Sequence, residues 1–403
     1  MKMKLKLVTT GIVTASAIGL AVGGRALAVV GGPTCNVPTD YSTIQAAVND
    51  NGCTTIKVAA GTYSENVTIG RSLTLKGSKA GSNVDNRTAA GPNESTVNGT
   101  VADSPVFTVN AANVTIDGFS VTNPDHGLGI DVKTAGDNAI IKNNIVDGLG
   151  NSVYSANTVG VYLELGPDNV KVNDNRISHV QSGPSAQGVL VGDSTSNNPS
   201  LGVVLDDNTI TDITSTAKGA YGIQLNNGSK PTASGYTTAK VTDNTIKNLN
   251  GVGWVHAIGL EGDTPNIVVR GNTISNLVSP SANKVAVWFE DNVFFFTGEV
   301  NQNSLDVGST AAGIAVNPAL TTLYPTLSVD GTCNWWGNKN GPGLVASGSG
   351  SLVTTGVDYK PWSKSARLNK GNCDGDHHDF NDSHSGHGRD DKDRWNDWND
   401  WDN

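Results

Sequence analysis

An asparagine that returns in register constrains this chain more than any other feature. Six times, a short apolar strand is followed three positions on by Asn: Ile141 and Asn144, Val172 and Asn175, Leu205 and Asn208, Val241 and Asn244, Val269 and Asn272, Val300 and Asn303. The steps between these asparagines are 31, 33, 36, 28 and 31 residues. An earlier copy, Ile116 to Val121, has Phe119 at the Asn position. Helical arrays have similar periods, but here the apolar residues alternate with period two, as in Leu128, Ile130 and Val132. Short strands at a fixed period, separated by Gly, Asn and Asp turns, predict coil stacked on coil, because one coil cannot bury its inner face alone. A side-chain amide repeated at one corner can bond the coils above and below and satisfy turn backbone that would otherwise be unpaired. The variable lengths fall after the strands, in loops such as Ser194–Ser200 and Asn227–Tyr236.

Composition agrees with an all-β solenoid. Of 403 residues 48 are Gly, charged residues are 16% and aromatics 6%. That excludes a coiled coil, and the absence of a Gly-x-y period excludes collagen. The formal charge of −10 argues against nucleic acid as a partner. Residues 1–28 read as a secretory signal: Lys2, Lys4 and Lys6 open it, Leu7 to Gly24 is uncharged, and Ala26-Leu27-Ala28 has the form of a cleavage site. No other stretch is apolar enough to span a bilayer, so the expectation is a secreted or cell-surface monomer. Four Cys allow three connectivities. The local pairing, Cys35–Cys53 and Cys333–Cys373, would staple each end of the folded region. The tail 374–403 carries ten Asp, four of the seven His, and Trp395, Trp398 and Trp401, and is expected to be a disordered acidic segment.

An open solenoid end needs a cap. Ser42-Thr43-Ile44-Gln45 has the capping-box form, with Ser42 at the N-cap and Gln45 three positions on. Ile44, Ala47 and Val48 then share one face of a short helix that would plug the first coil, fastened by Cys35–Cys53. The segment from Asp40 to Gly77, with Gly61, Tyr63 and Glu65 in a G-x-Y-x-E turn, resembles the opening of right-handed parallel β-helix proteins of the pectate-lyase-like superfold. Cys333-Asn334-Trp335-Trp336-Gly337, followed by Gly341-Pro342, resembles the closing segment of secreted bacterial β-helix proteins, with the tryptophans as a terminal plug. The resemblance implies a single right-handed parallel β-helix over 29–373, with a cap at 35–53, about nine or ten coils over 54–345, and a closing segment at 346–373. It does not name an activity, because the superfold hosts lyases, hydrolases, esterases, epimerases and adhesins. The paired Asp motifs of pectin methylesterases, the G-H-G of polygalacturonases and the motif context of pectate-lyase bases are all missing.

A site can be read from the strands themselves. Stacking Gly127–Val132, Gly160–Leu165, Gly188–Asp193, Gly222–Asn226, Ala257–Glu261, Ala286–Glu290 and Gly313–Asn317 puts apolar residues inward and leaves two outward columns. One reads Gly129, Tyr162, Leu190, Gln224, Gly259, Trp288, Ala315; the other reads Asp131, Glu164, Gly192, Asn226, Glu261, Glu290, Asn317. Asp131 with Glu164, and Glu261 with Glu290, are then expected as neighbours about 4.8 Å apart. That is near the separation of a retaining glycosidase pair, roughly 5–5.5 Å. Such carboxylates form an acid and a base or hold a hard cation such as Ca²⁺. Tyr162 and Trp288 flank them as sugar platforms, Gln224 lies between, and His126 and His256 stand just before their strands. Two function classes follow. One is a polysaccharide lyase or glycoside hydrolase working on an extracellular polysaccharide. The other is a non-catalytic cell-surface or adhesin-type protein that binds glycans with the same face.

Overall fold

The computed structural model describes residues 33–366 apart from 126, 193–197, 227–238, 263–266, 282, 291–297 and 345–346, together with Cys373. The signal, the acidic tail and His126 therefore lie outside the described residues. The chain is all-β, a solenoid of three parallel sheets with 12, 9 and 11 strands. Nine successive turns of chain, from Thr55 to Val316, each lay one strand in every sheet. A representative turn runs Ile140–Lys142 in the first sheet, Ile145–Leu149 in the second and Thr158–Leu163 in the third, before Lys171–Asn173 returns to the first. This is the architecture of a right-handed parallel β-helix.

Register stacks like residues along the inside. Leu75, Ile116, Ile141, Val172, Leu205, Val241, Val269 and Val300 form one fully buried column of the first sheet. Val146, Ile177, Ile210, Ile246 and Ile274 do the same in the second. The branched side chains suit a half-buried pleated surface, and stacking removes each of them from water on both sides.

The asparagines hold the corner between the first and second sheets. Each of the six expected residues, and a seventh, Asn334, is buried. Their Nδ2 groups donate to the next Oδ1 at 2.9–3.1 Å from Asn144 through to Asn334. The same Oδ1 accepts the backbone N–H of the preceding ladder residue, and each Nδ2 also donates back to a strand carbonyl of the coil before. Asn175, for example, donates to Ile141 O at 2.8 Å and accepts from Asn144 N at 3.0 Å. The residue ahead of each Asn is left-handed: Asn143, Asp174, Asp207, Asp243, Gly271, Gln302 and Cys333 have φ of 50–73°. Asn, Asp and Gly tolerate that conformation best, so the N-N and D-N pairs are the corner's signature.

Both ends are closed. The helix Ile44–Asn49 buries Ile44, Ala47 and Val48 as expected, but its cap differs from the expected box. Thr43 is the N-cap and accepts from Ala46 N at 3.1 Å. The acidic partner comes from the first coil: Glu65 accepts from Ile44 N at 2.9 Å and Gln45 N at 3.0 Å. Arg71 donates to Val48 O and Asp50 O at the other end of the helix. The disulfides are Cys35–Cys53 and Cys333–Cys373. At the far end Trp336 is fully buried beneath Gly313, where a Cβ would lie 2.7 Å from its ring, while Trp335 is half-buried. Asn317, expected as an outward strand residue, instead caps a helix Pro318–Leu323, accepting from Ala319 N at 3.0 Å.

Replacing Asn208 with Ala removes the partners of Asn175 N and Nδ2, Val172 O and Asn244 Oδ1. Unmet buried donors and acceptors cost about 1–3 kcal/mol each. Urea denaturation should therefore show Asn208→Ala less stable by at least about 3 kcal/mol, with the exposed control Lys247→Ala within about 0.5 kcal/mol of the parent. In the same assay Glu65→Ala should lose about 1–2 kcal/mol through the uncapped helix.

Candidate functional site on the third sheet

The outer face of the third sheet carries the candidate residues, and a bend decides which side chains reach it. Gly129, Gly160, Gly188 and Gly222 occupy equivalent places on successive strands. A Cβ at Gly160 would lie 2.5 Å from Gly188 O, and one at Gly188 2.5 Å from Gly222 O. The small residue lets the strand turn inward, so it and its successor both face the core. Gly129, expected outward, would point a Cβ at Val146 and Leu149.

This shifts the first coil by two residues. Asp131 pairs with Tyr162, not with Glu164. The observed column is Thr108, Asp131, Tyr162, Leu190, Gln224, Gly259, Trp288, Ala315. Sequence stacking failed here because Gly127 and Gly129 offer equally good starts. Glu164 stands one position beyond Leu163, as Lys133 does beyond Val132, so Lys133 and Glu164 are the neighbours. The Lys133 ammonium sits between the carboxylates, 2.6 Å from Asp131 and bonded to Glu164. Asp131 is fully buried beneath it. Burial pushes the Asp131 carboxyl up to about 6, against the pull of Lys133. Burial draws the Lys133 ammonium down, and the carboxylates of Asp131 and Glu164 more than reverse that.

The second pair follows the expected register. Asn226 pairs with Glu261, and Leu260 with Phe289, so Glu261 and Glu290 lie on successive coils. Beside them stands a column that begins ahead of the bend: Gln187, Tyr221, His256, Val285. Gln187 and Tyr221 were missed because the stacked segments began at the bend glycine. Their signal is a polar or aromatic residue three positions before Leu190 and Gln224. His256 is not in a turn before its strand. It lies within Val255–Glu261 and is 2% exposed. Its ring is 5.5 Å from Tyr221, edge-on, and 5.5 Å from Trp288. Burial lowers the imidazole to about 3, so it is neutral at any ordinary pH. Burial also raises the Tyr221 phenol, helped by the Glu290 and Glu261 carboxylates. Gln187 Nε2 donates to Gln224 Oε1 at 2.6 Å. Gln187 Oε1, Asn226 Oδ1 and His256 Nδ1 are buried without a hydrogen-bond partner. Gly259 leaves a gap between Gln224 and Trp288: a Cβ there would meet nothing nearer than 3.8 Å, from Gln224 Cγ and His256 Nδ1.

The structure thus gathers Gln224, His256, Glu261, Trp288 and Glu290 into one patch. Asp131, Tyr162 and Glu164 form a separate cluster, set apart by the coil of Leu190 and Gly192. A calcium ion takes six to eight oxygens. Glu261 and Glu290 supply two carboxylates, and among the described residues no group of three or more His, Cys, Asp or Glu gathers. Nor is any described helix long and apolar enough to cross a membrane.

No family model matches the chain, and no curated protein matches it. Among solved structures it is similar to the pectin methylesterase from Aspergillus niger in its deglycosylated form, at 15% identity and a TM-score of 0.42, over 68% of this chain and 87% of that one. The same esterase with an N-acetylglucosamine stub gives 15% identity and 0.42, over 68% and 88%. The ORF18 product of Geobacillus virus E2 gives 14% identity and 0.39, over 70% and 57%.

The Asp131 shift carries a sign. The folded chain holds this proton more tightly than the unfolded chain, whose carboxyl titrates near its ordinary 3.8. The contribution of Asp131 to stability is therefore fullest below about pH 4 and falls as pH rises toward and through about 6, by up to about 3 kcal/mol. Urea midpoints measured from pH 4 to 7.5 should show that fall in the parent and a flatter profile in Asp131→Asn.

Proposed function

We propose that the outer face of the third sheet binds an extracellular polysaccharide, laid across successive coils. One observation carries the reading: two residues with buried polar atoms lacking partners, Gln187 and His256, flank the half-buried ring of Tyr221, His256 also lies against Trp288, and a third such residue, Asn226, stands two positions beyond Gln224. Buried polar groups are normally paired, and a sugar chain offers both hydroxyls to pair them and an apolar ring face for the indole. Tyr162 stands in the same column four strand spacings from Trp288, so the face extends over roughly 20 Å. The export signal and the two disulfides support an extracellular setting.

Cleavage is the second reading, and the adjacency of Glu261 and Glu290 favours it. Two carboxylates on neighbouring strands suit a retaining hydrolase. Asp131, covered by Lys133, is less suited to touch a substrate. An adhesin-type role uses the same face without turnover.

Trp288→Ala should weaken retention in polysaccharide affinity gels at least ten-fold while leaving the melting temperature within a few degrees of the parent. Unchanged retention would remove the face from consideration. Mass spectrometry of polymers incubated with the protein separates the two readings. Hydrated oligosaccharides that vanish in Glu261→Gln and Glu290→Gln mean hydrolysis, and binding without products means a non-catalytic protein.

A further inference from the structure

The gap above Gly259 has a chemistry narrower than "polysaccharide". Its floor is the His256 imidazole, 98% buried, with Nδ1 facing the gap and unpaired. Gln187 Oε1, on the side chain bonded to Gln224, and Asn226 Oδ1, two residues beyond Gln224, are two further unpaired acceptors on this face. Glu261 and Glu290 add negative charge, felt by Tyr221. The nearest cation in the pairing, Lys284, opens its strand opposite the buried Val255, one register position before Val285.

Resting on the reading of this face as a polysaccharide site, we propose that the Gly259 gap takes a hydroxyl-bearing sugar unit and discriminates against polyuronates. A hydroxyl both donates and accepts, so it pairs with the amide oxygens and with Nδ1 in either imidazole tautomer. A uronate carboxylate only accepts. It would meet two acceptor oxygens and two carboxylates, a like-charge juxtaposition that rejects a partner. The imidazole offers it no compensating charge, because burial keeps it neutral. An ammonium on an amino sugar would instead be drawn to the two carboxylates, so chitosan serves as the cationic comparison. Trp288 at the gap's edge supplies a wall for the apolar face of the ring.

The test is calorimetric titration of the purified chain with neutral polymers (xylan, galactan, β-glucan), with polygalacturonate and with chitosan oligosaccharides, in 0.15 M salt and a chelator. A neutral polymer should bind at least ten-fold tighter than polygalacturonate. Gly259→Val should remove that binding at least ten-fold with the melting temperature unchanged, since a Cβ there makes only ordinary contacts. Glu261→Gln with Glu290→Gln should narrow the gap between neutral and acidic polymers. Preference for polygalacturonate over the neutral polymers, still lost in Trp288→Ala, would overturn the discrimination against polyuronates and leave the face as the binding site. Binding that survives both Gly259→Val and Trp288→Ala, or no binding to any polymer, would overturn the reading of the face and this inference with it.

Discussion

Each ladder asparagine is bonded to two coils at once, and the solenoid depends on that. A strand returning every thirty or so residues has nothing local to fix its height. At the corner, Asn Nδ2 reaches back to a carbonyl of one coil and forward to Oδ1 of the next, while Oδ1 takes a backbone N–H. The side chain replaces the backbone partner that a sharp corner would otherwise leave unmet. Because the bond is made with the same geometry seven residues in succession, coils of unequal length still stack in register, and the extra residues go to loops that leave the ladder undisturbed.

Register fixed at one corner propagates to the opposite face. The small residues at the bend of the third sheet let neighbouring coils approach closely, and they turn the strand so that residues before and after the bend face outward in two separate columns. Side chains from four coils then meet: Gln187 with Gln224, Tyr221 with His256, and His256 with Trp288. The corner amides are satisfied by one another. The amides and the imidazole on the outer face are not. Unpaired buried atoms also occur at Asn98, Asn123, Asp131, Thr158, Asn173, Ser200 and Trp336; the one on His256 faces the open space at Gly259.

The ends use different devices for the same problem, an exposed core cross-section. A six-residue helix is too short to be stable alone, and it holds because Glu65 and Arg71 from the first coil take its two termini and a disulfide ties its flank. Trp336 fills the other end directly, and the last ladder asparagine, Asn334, lies two residues before it. The solenoid is closed by residues supplied from its own wall.

The sequence by itself determined the solenoid, its asparagine corner and the apolar strands, because each is a local pattern repeated at a fixed step; of three possible disulfide pairings it favoured the local one, which the structure has, and it placed the capping helix but not its cap residue. It also placed Glu261 beside Glu290, since Ala257 and Ala286 stand at the bend in those strands and align them. Asn334 was legible as part of a closing motif but not as the seventh rung, because the repeat's apolar residue is replaced there by Gly331. Tertiary structure alone decided the partner of Asp131, because two glycines two residues apart fit the pattern equally well and only pairing chooses between them. It alone put His256 inside a strand and under Trp288, and brought Gln187 and Tyr221 to the site. Those contacts join residues about thirty positions apart across a bend that breaks the period of two, and alternation cannot be carried through such a break from sequence.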